Sequence, residues 1–109
     1  MHDLPTEDDI CKALSYLALT DTYYATSIGK VKALEYQIKT IKALVYLETK
    51  GTIAEREARS HSSEAYRAFV SNYEDAVIER ETISAKRKRA ELTIEVWRSI
   101  NANRRQGAV

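Results

Sequence analysis

Apolar side chains recur at intervals close to whole helical turns in two long segments of the chain. The first series is Ile10, Leu14, Leu17, Tyr24, Ile28, Val31, Leu34, Ile38, Ile41 and Val45, and the second is Tyr66, Val70, Tyr73, Val77, Ile83, Ala90, Ile94, Trp97 and Ile100. Such spacing places the apolar residues on one face of an α-helix. The pattern predicts two long amphipathic helices, over about residues 7–50 and 63–106.

Capping residues mark the ends of these segments. Thr6 precedes three carboxylates, a combination that satisfies free backbone amides and suits the positive end of a helix dipole. Gly51 follows Lys50, as expected just beyond a helix C-terminus. Thr52 and Glu55 form a capping-box pattern that opens a short helical turn through Arg59, and Ser62 or Ser63 caps the second long helix.

The first helix contains one weak segment. Asp21 lies on its apolar stripe, and residues 20–27, followed by Gly29, are poor helix formers. We therefore expect a kink or a local break between residues 20 and 29.

The matched helix lengths predict an all-α fold with coiled-coil character. The two helices form a long antiparallel hairpin, joined by a short helical connector at 51–62, within a single domain of residues 1–109. Two helices bury only one seam, so much apolar surface stays exposed. We expect a homo-oligomeric helix bundle, dimeric or larger, with candidate interface residues Leu19, Leu44, Leu47, Phe69, Ile78, Leu92, Val96 and Trp97.

Composition and charge narrow the classes of protein. The 109 residues carry 17 Lys and Arg against 16 Asp and Glu, a net charge of +1, so no global field draws the chain to nucleic acid or membranes. One cysteine, Cys11, excludes an intrachain disulfide and is typical of a small hydrophobe in a core or interface. With no secretory signal or membrane span in the pattern, we expect a cytoplasmic protein without membrane attachment.

Charge is unevenly distributed only near the C-terminus. Residues 86–105 contain two anions and seven cations, which are Lys86, Arg87, Lys88, Arg89, Arg98, Arg104 and Arg105. Such a surface can neutralise phosphates, which makes these seven residues candidates for nucleic-acid binding. The alternative interpretation is that they pair, between copies of the chain, with the acidic first ten residues, which carry four carboxylates and include Asp3.

Other chemistry has weaker support in the sequence. His2 and His61 are isolated, and the carboxylates Glu74, Asp75, Glu79 and Glu81 lack the Glu-x-x-His pattern of a bundle metal site. We expect no cofactor, no metal and no enzymatic activity.

Residues 50–107 resemble a group of small helical proteins of tailed bacteriophages and prophages. The likeness is carried by residues 52–58, by Tyr66, by Tyr73 and Glu74, and above all by residues 88–105 with their Glu-Val-Trp-Arg sequence at 95–98. The group is encoded among early phage genes, often near recombination or replication functions. The resemblance implies that context, in an infected or lysogenic bacterium, and no set of site residues.

Three hypotheses follow. The first is an oligomeric accessory protein of phage DNA recombination or replication that contacts nucleic acid or a recombination enzyme through its basic C-terminal helix. The second is a protein-binding adaptor, or an inhibitor of a host enzyme, that makes no nucleic-acid contact. The third, which ranks last, is an enzyme with a carboxylate-metal centre inside the bundle.

Overall fold

A computed structural model of the chain describes residues 4–107, all of whose regular structure is helical. The elements are α1 (Glu7–Glu48), α2 (Ile53–Ser62) and α3 (Glu64–Gly107), and no strand occurs in the described part of the chain. The all-α class is therefore confirmed. Helix α1 ends two residues before the expected position, and residues 20–29 are helical throughout, without the expected break.

Helix α1 begins at a reciprocal pair of hydrogen bonds. The amide of Asp9 donates to Thr6 Oγ1 (3.2 Å), and the amide of Thr6 donates to Asp9 Oδ2 (2.9 Å). This arrangement satisfies two amides that a helix start otherwise leaves unpaired. The contact with the Thr6 amide lowers the pKa of the Asp9 carboxyl.

Local turn chemistry sets the boundaries of α2. Gly51 has a φ of 126°, which residues with a side chain rarely adopt, and it lies just after the end of α1. Thr52 then caps α2 by accepting from the amide of Glu55 (3.2 Å). Helix α2 continues beyond Arg59 to Ser62, and Ser63 accepts from the amide of Tyr66 (3.2 Å) to start α3.

The chain forms two compact units, and α1 and α3 contribute to both. Unit 1 joins the described residues up to Ala25 with those from Glu81 onward, and unit 2 is Thr26–Arg80. In unit 1 the buried apolar residues are Ile10, Ala13, Ile83 and Ala90. Leu14, expected on the buried stripe, is 52% exposed, because Ala13 occupies the inward position instead.

Unit 2 is built around Val31, Leu34 and Ala76, with Phe69, Tyr73 and Val77 packed against them. Phe69, a candidate interface residue, is half-buried and packs against the core of this unit. Polar contacts between its helices include the Ser60 hydroxyl donating to the Lys42 carbonyl (3.1 Å), the Tyr73 hydroxyl donating to the Glu35 carboxylate (3.2 Å), and Lys30 pairing with Glu79 (3.7 Å). Residue numbers fall along α1 as they rise along α2 and α3, so the contacting segments of unit 2 run antiparallel.

Candidate nucleic-acid interface

The candidate cations all lie on the part of α3 that belongs to unit 1. Six of the seven are exposed: Lys86, Lys88, Arg89, Arg98, Arg104 and Arg105. Four consecutive cations point around most of a helix, so one of them necessarily faces the packed side. Arg87 is that residue.

Arg87 lies against α1 instead of facing solvent. Its guanidinium donates to the Leu17 carbonyl (2.9 Å), to Thr20 Oγ1 (2.7 Å) and to Asp21 Oδ1 (2.6 Å), and it stands 5.3 Å from the ring centre of Tyr24. The side chain is only 15% exposed. Arg87 is therefore a packing and positioning residue of unit 1, and the candidate surface is reduced to the six exposed cations.

The acidic start of α1 has its own partners. Asp8 pairs with Lys12 (3.0 Å), and their hydrogen bond raises the pKa of the lysine. Asp9 is held by Thr6, as described above. These two carboxylates contact residues of their own segment. Pairing of the acidic segment with the cations of another copy stays a prediction. Asp3 and His2 lie outside the described residues.

A groove in unit 1 adjoins the basic segment. It has a cavity volume of about 750 Å³ and includes Lys86 and Arg89 from α3 with Asp9, Lys12 and Tyr16 from α1. The apolar part of its lining is formed by Pro5, Ala13, Ala90, Leu92 and Val96. The groove combines positive charge with apolar surface, and the sequence pattern alone did not reveal it.

Most of the candidate interface residues are exposed. Leu19 is 79% and Leu47 is 74% exposed, and Leu44, Ile78, Leu92 and Val96 are exposed as well, whereas Trp97 is half-buried. Cys11 is also exposed, so its expected place in a core is wrong.

The remaining candidates for chemistry are dispersed. His61 Nδ1 donates to the Glu57 carbonyl (2.8 Å), and the ring meets that of Tyr66 edge-on at 5.4 Å. Within residues 4–107 no group of three or more His, Cys, Asp or Glu side chains is arranged to hold a metal ion. No helix in the same range has both the length and the apolar character needed to cross a bilayer.

Comparisons with known protein families, with curated proteins and with solved structures return no match.

Sequence reasoning missed the role of Arg87, although a signal for it exists. Ile83, Arg87, Ala90 and Ile94 are separated by four, three and four residues, which places the arginine on the buried stripe. The same arginine also belongs to the run of four cations at 86–89, a pattern that by itself predicts exposure. The groove has no comparable signal, because it depends on the facing surface of α1.

Proposed function

We propose that the chain is a non-enzymatic helical accessory protein that binds nucleic acid through the exposed cations of α3 in unit 1. The resemblance of residues 50–107 supports a place in phage DNA recombination or replication, in the cytoplasm of a bacterial host. The same proposal gives a recombination enzyme as the alternative ligand of this surface.

One observation carries the proposal: the cations of α3 other than Arg87 are exposed, and two carboxylates at the start of α1 contact residues of their own segment. Asp8 and Asp9 contact Lys12 and Thr6, and Arg87 alone among the seven cations is committed to α1. Exposed cations can neutralise phosphates and so release the counterions held by the nucleic acid. This release is the main source of affinity for phosphate backbones.

The test is the salt dependence of nucleic-acid binding, measured by fluorescence anisotropy. We expect binding at low salt that weakens steeply as salt rises, and a Lys86→Glu, Arg89→Glu variant that binds at least about tenfold more weakly. The matched control is Lys32→Glu, Lys39→Glu, which makes the same charge change at exposed positions of unit 2. Equal losses in the two variants would assign the effect to net charge and remove the α3 surface.

Exposed apolar side chains support a proposal about assembly. We infer that α1 and α3 form an antiparallel hairpin and that copies of the chain associate through residues such as Leu19, Leu44 and Leu47. Isolated helical pairs leave wide apolar faces in water, and association removes them from it.

The same exposed residues favour the second candidate function, an adaptor or an inhibitor of a host enzyme. Apolar side chains on a charged surface are typical of protein-binding sites. This candidate predicts no nucleic-acid binding even at low salt, together with a stable complex with a host or phage protein.

A further inference from the structure

The groove of unit 1 combines three features that are useful to one class of ligand. Its apolar floor contains the methyl groups of Ala13 and Ala90, both more than nine-tenths buried, and Leu92 forms an exposed apolar wall. Lys86 and Arg89 supply positive charge, and Tyr16 supplies an aromatic ring. The apolar floor, the cations and the aromatic ring all line one groove of about 750 Å³.

The geometry points to single-stranded nucleic acid as the ligand of this groove, an inference that rests on the proposed function and deepens it. An unpaired base presents a flat apolar face, which a groove of this kind removes from water. A duplex keeps its bases stacked on each other and offers a convex surface of phosphates. That surface reaches the cations but not the apolar floor of the groove. The groove therefore distinguishes the two forms by shape.

Tyr16 is the residue best placed to stack on a base. It lies next in sequence to Leu17, whose carbonyl accepts a hydrogen bond from Arg87 (2.9 Å), and Lys86 is the neighbour of Arg87 on α3. This contact joins α1 to α3 beside the groove that Tyr16 and Lys86 both line. A base on the ring then has its phosphate within the field of Lys86 and Arg89, which is the combination used by sequence-tolerant single-strand binders.

Three probes of equal length test the inference with the unaltered protein. They are a single-stranded oligonucleotide, its duplex, and an abasic strand that keeps the phosphates and lacks the bases. We expect the single strand to bind about tenfold more tightly than the abasic strand at the same salt concentration. The duplex should bind no better than the abasic strand.

Two substitutions assign the effect to the ring. Tyr16→Leu keeps an apolar side chain without a stacking face, so single-strand affinity should fall to that of the abasic strand while duplex affinity stays unchanged. Tyr16→Phe keeps the ring and should bind as the wild type does. Circular dichroism of each variant verifies that the helices are retained, and the abasic comparison tests the inference without any variant.

The outcomes separate this inference from the proposed function. Salt-dependent binding that is equal for all three probes overturns the groove inference and leaves the basic surface of α3 in place. No binding of any probe at low salt overturns both. Tighter binding of the single strand, lost in Tyr16→Leu and retained in Tyr16→Phe, supports both.

Discussion

At the residue scale, Arg87 shows how a cation is held inside a helical pair. Its guanidinium makes three hydrogen bonds to α1, two of them to groups that carry no charge. The Asp21 partner is 66% exposed, so its ion pair is well solvated and contributes little by itself. The hydrogen bonds to Leu17 and Thr20 therefore account for most of what this side chain adds to stability.

We expect Arg87→Ala to lower the free energy of unfolding by about 2–3 kcal/mol, because it removes hydrogen bonds made by a charged donor and packing against Tyr24. Urea unfolding followed by circular dichroism measures the change. Lys88→Ala is the matched control, since Lys88 is exposed and should cost less than about 0.5 kcal/mol. Equal stabilities for the two variants would contradict the packing role.

A second residue, Asp9, gives the stability of the protein a dependence on pH. The Thr6 amide lowers the pKa of the Asp9 carboxyl below its ordinary value of 3.8, so the charged form stabilises the folded state. This contribution is present above the ordinary pKa and is lost as the pH falls through the lower folded value.

We therefore expect Asp9→Asn to reduce stability at about pH 7, and the difference from the wild type to be smaller at about pH 3, below the ordinary pKa of 3.8. Urea unfolding at the two pH values measures the difference. Glu7→Gln changes the same charge in the same helical turn and controls for the helix dipole. A loss in Glu7→Gln as large as that in Asp9→Asn would remove the role of Thr6.

At the element scale, local chemistry was enough to predict where helices start and stop. Thr6, Thr52 and Ser63 cap the three helices through their hydroxyl oxygens, as expected from their positions before the apolar series. The inward face is harder to predict, because small residues also occupy it. Ala90 belongs to the predicted apolar series and is buried, but Ala13 is buried where the series predicts Leu14.

Polar residues on the buried face were missed for a related reason. Ser60 is fully buried and donates to the Lys42 carbonyl, 18 positions away in the sequence. Its hydroxyl can be buried only because that carbonyl accepts its hydrogen bond. No local pattern contains that partner. The candidate site shows the same limit: its cations were found from the sequence, but the inward turn of Arg87 and the groove depend on what α1 presents.

Two glycines, Gly29 inside α1 and Gly51 between α1 and α2, allow a matched prediction. Gly51 has a positive φ, and an added Cβ would also meet the Glu55 carboxylate, so Gly51→Ala should destabilise the protein by about 1–2 kcal/mol. Gly29 lies inside α1 with open space around it, so Gly29→Ala should stabilise by about 0.5–1 kcal/mol. Thermal unfolding of the two variants should give shifts of opposite sign. A stabilised Gly51→Ala protein would show that the backbone there is not held at positive φ.

At the scale of the whole molecule, exposed leucines and a net charge of only +1 both favour self-association, because little electrostatic repulsion opposes the burial of apolar surface. We expect light scattering to give a mass of at least twice the 12.4 kDa of one chain.

Leu19→Glu tests unit 1 and Leu47→Glu tests unit 2, and the one that lies in the interface should lower that mass. Helix content should persist, since both side chains are exposed and outside the buried cores. Lys39→Glu, an equally exposed change on α1, should leave the mass unaltered. A wild-type mass of one chain at about 100 μM would contradict the assembly, because burial of several leucines at about 25 cal/mol per Å² should hold copies together at that concentration.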